Sequence, residues 1–368
     1  MSAENGMKSG THKPDAGMTK SGKVESAKPS HSGMMPFPME ITPESLIFPG
    51  EKHFANMKQL TFEGEYAEAY FNSDGTKLIY QGHIGADNCD QIYIMDLETG
   101  ESKMVSTGDG VTTCSYFKYP CDDKIVYAST HAATPDCLKK TTGGHSVAYR
   151  IHSEYDVFLA NPDGSDLTPL TDSWGYDAEC AFSPDGTSIV WTSLASGDLE
   201  LWKMNSDGSH KIRLTDEIGY DGGPFFSSDN RKICYRAYHP TSSDEMAEYK
   251  DLIKKDMVKS YPLQLWVMNA DGTGKMQVTD NGKTNFCPFF APGDDRLIFA
   301  TNYMSESPMD FNLWIVDLDG SNLERLSYSK TFDGFPMFSP DGKKLAFISG
   351  RNQKAPRDFN IFICDWVE

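Results

Sequence analysis

A chain of 368 residues with 39% hydrophobic content can bury a large core, and one closed repeat array counted as a single domain fits that length. Lys and Arg total 34 against 53 Asp and Glu, a net charge of −19 that repels phosphate backbones and anionic lipid, so nucleic acid and acidic membrane surfaces are excluded as partners. No apolar run reaches membrane-spanning length and the first 25 residues lack a signal-peptide core; a mature form already cut from its export signal reads the same way.

Residues 1–45 are rich in Ser, Gly, Lys, Met and Pro without apolar periodicity, which predicts a disordered tail. Five lysines cancel five acids there, so the whole negative charge belongs to residues 46–368. That second part is repetitive. Gly175 to Gly186 contains Phe182-Ser183-Pro184-Asp185-Gly186, and the same pattern returns around Phe226 and Phe338, with weaker copies at Phe71, Phe117 and Phe290. The six marker phenylalanines are spaced by 46, 65, 44, 64 and 48 residues, a period that points to a propeller or solenoid.

Each unit reads as four strands. The first ends at the marker Phe, and a Ser-Pro-Asp-Gly turn leads to the second, with Pro presetting φ and Gly accepting a positive one. The third alternates apolar residues, as in Glu200-Leu201-Trp202-Lys203-Met204. An Asp-Gly turn (163–164, 207–208, 271–272, 319–320) opens a fourth that ends in Leu-Thr or a relative of it. The copy of that last strand at Met57–Phe62 has no unit in front of it, and the final unit ends near Trp366 without one. Pairing the two closes a ring and removes a sheet edge.

The two long units carry insertions between their second and third strands, about His131–Glu154 in blade 2 and about Tyr238–Pro262 in blade 4. The second predicts a helix: Ser242 and Glu245 form a capping box, and Met246, Tyr249, Ile253 and Met257 make one apolar stripe. Among eight cysteines, Cys180, Cys234 and Cys364 fall in predicted strands as buried thiols. Cys89 and Cys137 fall in loops, where an oxidising compartment would bridge them, or where they would join His83, His131, His145 and His152 as zinc ligands.

Phe-Ser-Pro-Asp-Gly followed by a β run, an Asp-Gly-Ser turn and a Leu-Thr ending resembles the WD40-like (PD40) repeat of TolB-like six-bladed β-propellers, from about residue 54 to 368. The resemblance implies an all-β fold and an exported, periplasmic or secreted, bacterial binding protein. An up-and-down blade puts both insertions and the starts of all innermost strands on one face. Five residues before each marker Phe stand Tyr66, Thr112, Asp177, Asp221, Asn285 and Asp333, and three before stand Glu68, Cys114, Glu179, Gly223, Cys287 and Phe335.

Strict alternation would turn both sets to one side of the strand, making an acidic channel mouth of Asp177, Asp221, Asn285, Asp333, Glu68 and Glu179. Asp177, Asp221 and Asp333 then offer oxygen ligands for Ca²⁺ or Mg²⁺ in the central channel; the structural alternative has them accept backbone N–H groups of the next blade. The expected function is non-enzymatic: a monomeric propeller that recognises a protein or peptide of basic character through this face. The rival is a cation-dependent hydrolase or lyase acting on a carbohydrate at the channel mouth.

Overall fold

The computed structural model describes residues 46–84, 88–138 and 148–368; the tail expected at 1–45 and His145 lie outside the described residues. Six four-stranded antiparallel sheets form the blades of a propeller. The innermost strands are Glu65–Phe71, Thr112–Phe117, Asp177–Phe182, Tyr220–Phe226, Asn285–Phe290 and Asp333–Phe338, each ending at its marker Phe. The sixth blade takes its outermost strand, Phe54–Gln59, from the beginning of the chain, paired antiparallel with Asn360–Trp366. No helix among the described residues is long and apolar enough to cross a membrane.

The repeat signature follows from what each blade must satisfy. Phe71, Phe117, Phe182 and Phe338 are at most 4% exposed and fill the space between blades, each such burial contributing about 1.5–3 kcal/mol. In the Ser-Pro-Asp-Gly turn the Ser183 hydroxyl donates to Asp185 Oδ1 at 2.6 Å, and that oxygen accepts the Thr187 N–H at 3.0 Å; Ser339 and Asp341 repeat the arrangement. The Asp-Gly turns work alike, Asp207 Oδ1 accepting both the N–H and the hydroxyl of Ser209 at 2.9 and 2.6 Å.

The Leu-Thr ending has its own task. The hydroxyl oxygens of Ser106, Thr171, Thr215, Thr279, Ser327 and Thr61 each accept a backbone N–H of their blade's third strand, at 2.8–3.0 Å. Thr61 does so for Ile361, so the chain's beginning supplies to blade 6 the part every other blade makes locally. Blades are tied to one another as regularly. The N–H groups of Tyr66, Thr112, Asp177, Asp221, Asn285 and Asp333 donate to the carbonyls of Phe359, Asp90, Tyr155, Leu199, Leu263 and Phe311 in the preceding blade, at 2.8–3.1 Å.

A buried latch reinforces the closure. Arg351, 3% exposed, pairs with Glu51 through both terminal nitrogens at 3.1 Å, with Asp333 at 3.3 Å and with the Leu46 carbonyl at 2.9 Å. Its guanidinium also lies against the rings of Phe48, Phe347 and Phe362.

The insertions do more than decorate their blades. The expected helix spans Ser243–Ile253 with Ser242 and Glu245 forming the capping box. It buries Tyr249 and Ile253 against Leu194, Leu199, Tyr220 and Tyr261, on blades 3 and 4. Met257 leaves the expected stripe because the helix has ended; it begins the strand Met257–Lys259, which pairs antiparallel with Ala148–Arg150 of the blade 2 insertion. Cys89 and Cys137 form a disulfide with Cα atoms 5.6 Å apart, joining the blade 1 loop to the same insertion. Blade 1 is thus linked covalently to blade 2, and blade 2 by a two-stranded sheet to blade 4, in one arch on the face where the innermost strands begin.

Candidate functional site at the propeller mouth

Alternation fails in the innermost strands, and for a physical reason. All six carry a bulge, the register shifting at Ala67/Tyr70, Thr113/Tyr116, Ala178/Ala181, Gly222/Phe225, Phe286/Phe289 and Gly334/Met337. The residue three before the marker has positive φ in every blade: Glu68, Cys114, Glu179, Gly223, Cys287 and Phe335, at 45–60°. Blade faces pack on neighbouring blades, so regular side chains enter those interfaces, while the bulged residue is turned toward the axis.

The two expected sets therefore separate. Asp177, Asp221, Asn285 and Asp333 are at most 1% exposed and each is bonded within its surroundings. Asp177 accepts from the Trp191 indole N–H at 2.8 Å and from Ser173 Oγ at 2.5 Å. Asp221 contacts His239 Nε2 at 2.9 Å; Asn285 donates to the Leu263 carbonyl at 3.0 Å; Asp333 accepts from Ser349 at 2.5 Å and from Arg351. These partners lie on separate blades, so Asp177, Asp221 and Asp333 do not converge on one cation, and among the described residues no three His, Cys, Asp or Glu side chains gather as a metal site. The regular inter-blade tie is made by the backbone N–H of these positions, and side chains add to it, Asn285 donating to the Leu263 carbonyl of the preceding blade.

Glu68 and Glu179 do reach the channel. Glu68 Oε1 accepts from Cys114 Sγ at 3.3 Å, and burial pushes its carboxyl up to about 7. Glu179 pairs with Arg236 and accepts the Gly223 N–H at 2.7 Å, the Thr192 hydroxyl at 2.8 Å and the Tyr220 hydroxyl at 3.2 Å. Gly223 is required: a Cβ there would stand 1.9 Å from Arg236 Nη1. Below this layer the channel is filled. Tyr70, Tyr116, Phe225 and Phe289 meet with ring centroids 5.3–6.0 Å apart, blade 1 touching blade 4 across the axis. Access is therefore from the mouth alone.

Where blade 6 meets blade 1, a cavity of about 250 Å³ opens on that mouth, lined by Glu65, Tyr66, Ala67, Gln81, Asp90, Phe332, Phe335 and Phe359. Phe332 lies 5.1 Å from Phe359, 6.1 Å from Phe335 and 5.9 Å from Phe286, a phenylalanine wall running into blade 5. None of the arch's two strands or its helix lines the cavity. Of its residues Tyr66 and Phe335 stood among the positions marked by the repeat; the others follow from loop geometry between blades, which one sequence does not disclose.

The zinc alternative is closed by the disulfide, which removes both thiolates. His83 Nδ1 lies 2.5 Å from Asp90, and the His131 ring lies tilted against Phe158 with centroids 4.4 Å apart, so each has another neighbour.

No known family profile and no curated protein sequence matches the chain. Solved structures match its shape. A proposed TolB from Agrobacterium tumefaciens is 18% identical with a TM-score of 0.55, over 83% of this chain and 91% of that one. TolB from Acinetobacter baumannii is 16% identical with a TM-score of 0.54, over 73% of this chain, which spans 55% of that protein's length. An oligogalacturonate lyase from Vibrio parahaemolyticus, 12% identical, gives a TM-score of 0.50 over 84% and 93%. At such identities the likeness is one of fold: the chain is a TolB-like six-bladed β-propeller.

Proposed function

We propose that the propeller is a binding module that docks a protein or peptide partner on its mouth face, in the periplasm or outside the cell. The observation that carries this reading is where large apolar side chains meet water. Trp174, Met304 and Met309 are 70–72% exposed, and Ile84, Tyr149, Ile218 and Tyr328 are also exposed; all seven sit on loops or the arch at the mouth. The Cys89–Cys137 bridge favours an oxidising compartment. Of the residues expected at the site, Glu68 and Glu179 belong to the channel beneath the partner, and Asp177, Asp221, Asn285 and Asp333 support the rim from inside the blades.

The test is crosslinked capture from the source cells with Met304→Glu/Met309→Glu beside wild type and a turn-face variant. A partner held by wild type and the turn-face variant and lost from the mouth variant supports the reading; equal capture by all three contradicts it. The carbohydrate hydrolase or lyase reading retains one specific support, the channel acid Glu68 at about 7 across from Glu179. It requires glycan cleavage that Glu68→Gln abolishes.

A further inference from the structure

We infer that the cavity between blades 6 and 1 receives one uncharged aromatic side chain, phenylalanine, tyrosine or tryptophan, from the polypeptide partner; that the ring comes from a partner rests on the mouth-face reading above. Four rings of the protein form the cavity walls: Tyr66, Phe332, Phe335 and Phe359. The three phenylalanines are only partly buried, so ring surface that the chain itself does not cover meets water in a concave place. An apolar cavity of about 150 Å³ takes a benzene ring, and one of about 250 Å³ accommodates a phenol or an indole.

The polar part of the lining selects against a charged ligand. Glu65 accepts from Arg357 Nη2 at 2.6 Å and from its Nε at 3.2 Å, and Asp90 meets His83 Nδ1 at 2.5 Å. Gln81 has its carbonyl oxygen committed to the Cys114 N–H at 2.7 Å and the Thr113 hydroxyl at 2.9 Å. Among the described residues, no buried side-chain nitrogen or oxygen of the lining lacks a hydrogen-bond partner. A cation arriving here would have to break bonds already made, and an anion would meet two carboxylates. A neutral ring leaves those pairs in place and gains contact with the phenylalanine wall.

The wall is fixed from three different elements. Phe335 occupies the bulge of the sixth innermost strand with φ 52°, and its N–H lies 3.1 Å from Cys287 Sγ. The Phe332 carbonyl accepts the Gly350 N–H at 2.8 Å, and a Cβ at Gly334 would stand 2.5 Å from the Phe332 ring, so glycine there keeps that ring in position. The Phe359 carbonyl accepts the Tyr66 N–H at 2.9 Å, in the seam that closes the propeller. The rings meet tilted, Phe332 at 45° to Phe359 and 51° to Phe335, an arrangement in which aromatic pairs attract and which an entering ring extends. A pocket held this way costs little ordering when it is filled, and aromatic anchors in such pockets carry much of the energy of protein interfaces.

The probes are N-acetyl-phenylalanine, N-acetyl-tyrosine and N-acetyl-tryptophan methylamides, titrated into the intact protein by ligand-observed NMR beside the leucine and arginine analogues and methyl β-glucopyranoside. The best aromatic probe is expected to bind about threefold or more tightly than the leucine analogue, and more tightly than arginine or the glucoside. Phe332→Leu/Phe359→Leu, which keeps apolar bulk and removes two rings, should abolish that preference, and Asp207→Asn on the turn face should leave it unchanged. The inference is overturned by leucine binding as tightly as every aromatic probe, by arginine or the glucoside binding more tightly, by no probe binding at all, or by a preference that survives in Phe332→Leu/Phe359→Leu. These probes need no partner, and Met304→Glu/Met309→Glu leaves the cavity walls intact, so failure here and failure of the capture experiment are told apart.

Discussion

At the turn face Asp163, Asp207, Asp271 and Asp319 stand in water, each accepting from a neighbouring hydroxyl and backbone N–H, and those bonds hold their carboxyls below the usual range. At the mouth a second set of acids is enclosed, and burial drives the other way: Glu200 is pushed up to about 8, Glu68 to about 7 and Asp156 to about 6, with Asp177, Asp198 and Asp221 raised as well. One repeat motif thus supplies two populations of carboxylate with opposite responses to protons. Exposed carboxylates stand on both faces, Asp172, Asp216 and Glu217 on mouth loops among them, and the mouth also shows large apolar side chains to solvent, so acid content alone does not locate a binding face.

The mouth's enclosed charges should be the most sensitive point. Arg351→Ala leaves Glu51 and Asp333 buried without their counter-ion and is expected to cost about 3–5 kcal/mol in urea unfolding. Loss of the arch's covalent end comes next. Cys89→Ser/Cys137→Ser opens a link between residues 48 apart and should cost about 2–4 kcal/mol, with faster hydrogen exchange in Ala148–Arg150 and Met257–Lys259.

The pH dependence separates the two faces directly. Turn acids with depressed values contribute stability above their unfolded pKa near 4, lost as pH falls through the folded values. Mouth acids with raised values contribute below their unfolded pKa near 4, and that stability is lost as pH rises through about 6 to 8. His239 adds to the second limb: burial lowers its pKa, but the hydrogen bond and charge of Asp221 raise it overall. Thermal unfolding should therefore show its highest midpoint near about pH 5. Glu200→Gln should raise the midpoint at pH 8 and leave it unchanged at pH 5. The smallest effect is expected from Asp207→Asn at the turn face, which should barely move the midpoint at pH 7.

Much of this fold is legible in the residues, since the motif at Phe182–Gly186 and the Leu-Thr ending each meet a local demand: a turn geometry, or an acceptor for one third-strand N–H. Ring closure is legible for the same reason, because the ending at Thr61 has no unit in front of it and the last unit, which holds Ile361, has no such ending after it. The site is legible only in part. Alternation sends Asp177 and Glu179 to one side, but the bulge between them separates the pair, and nothing in Asp-Ala-Glu announces a positive φ. The arch depends on Ala148–Arg150 meeting Met257–Lys259 across more than a hundred residues, and the cavity on loops whose sequences share no pattern.

The most direct test of the binding-face claim is photocrosslinking with a reactive residue placed singly at Trp174, Met304 and Met309 on the mouth and at Asp207, Asp319 and Asp341 on the turns. The account predicts one shared crosslinked partner from the mouth positions and none from the turn positions. The same partner caught from the turn positions, with the mouth positions silent, would contradict it.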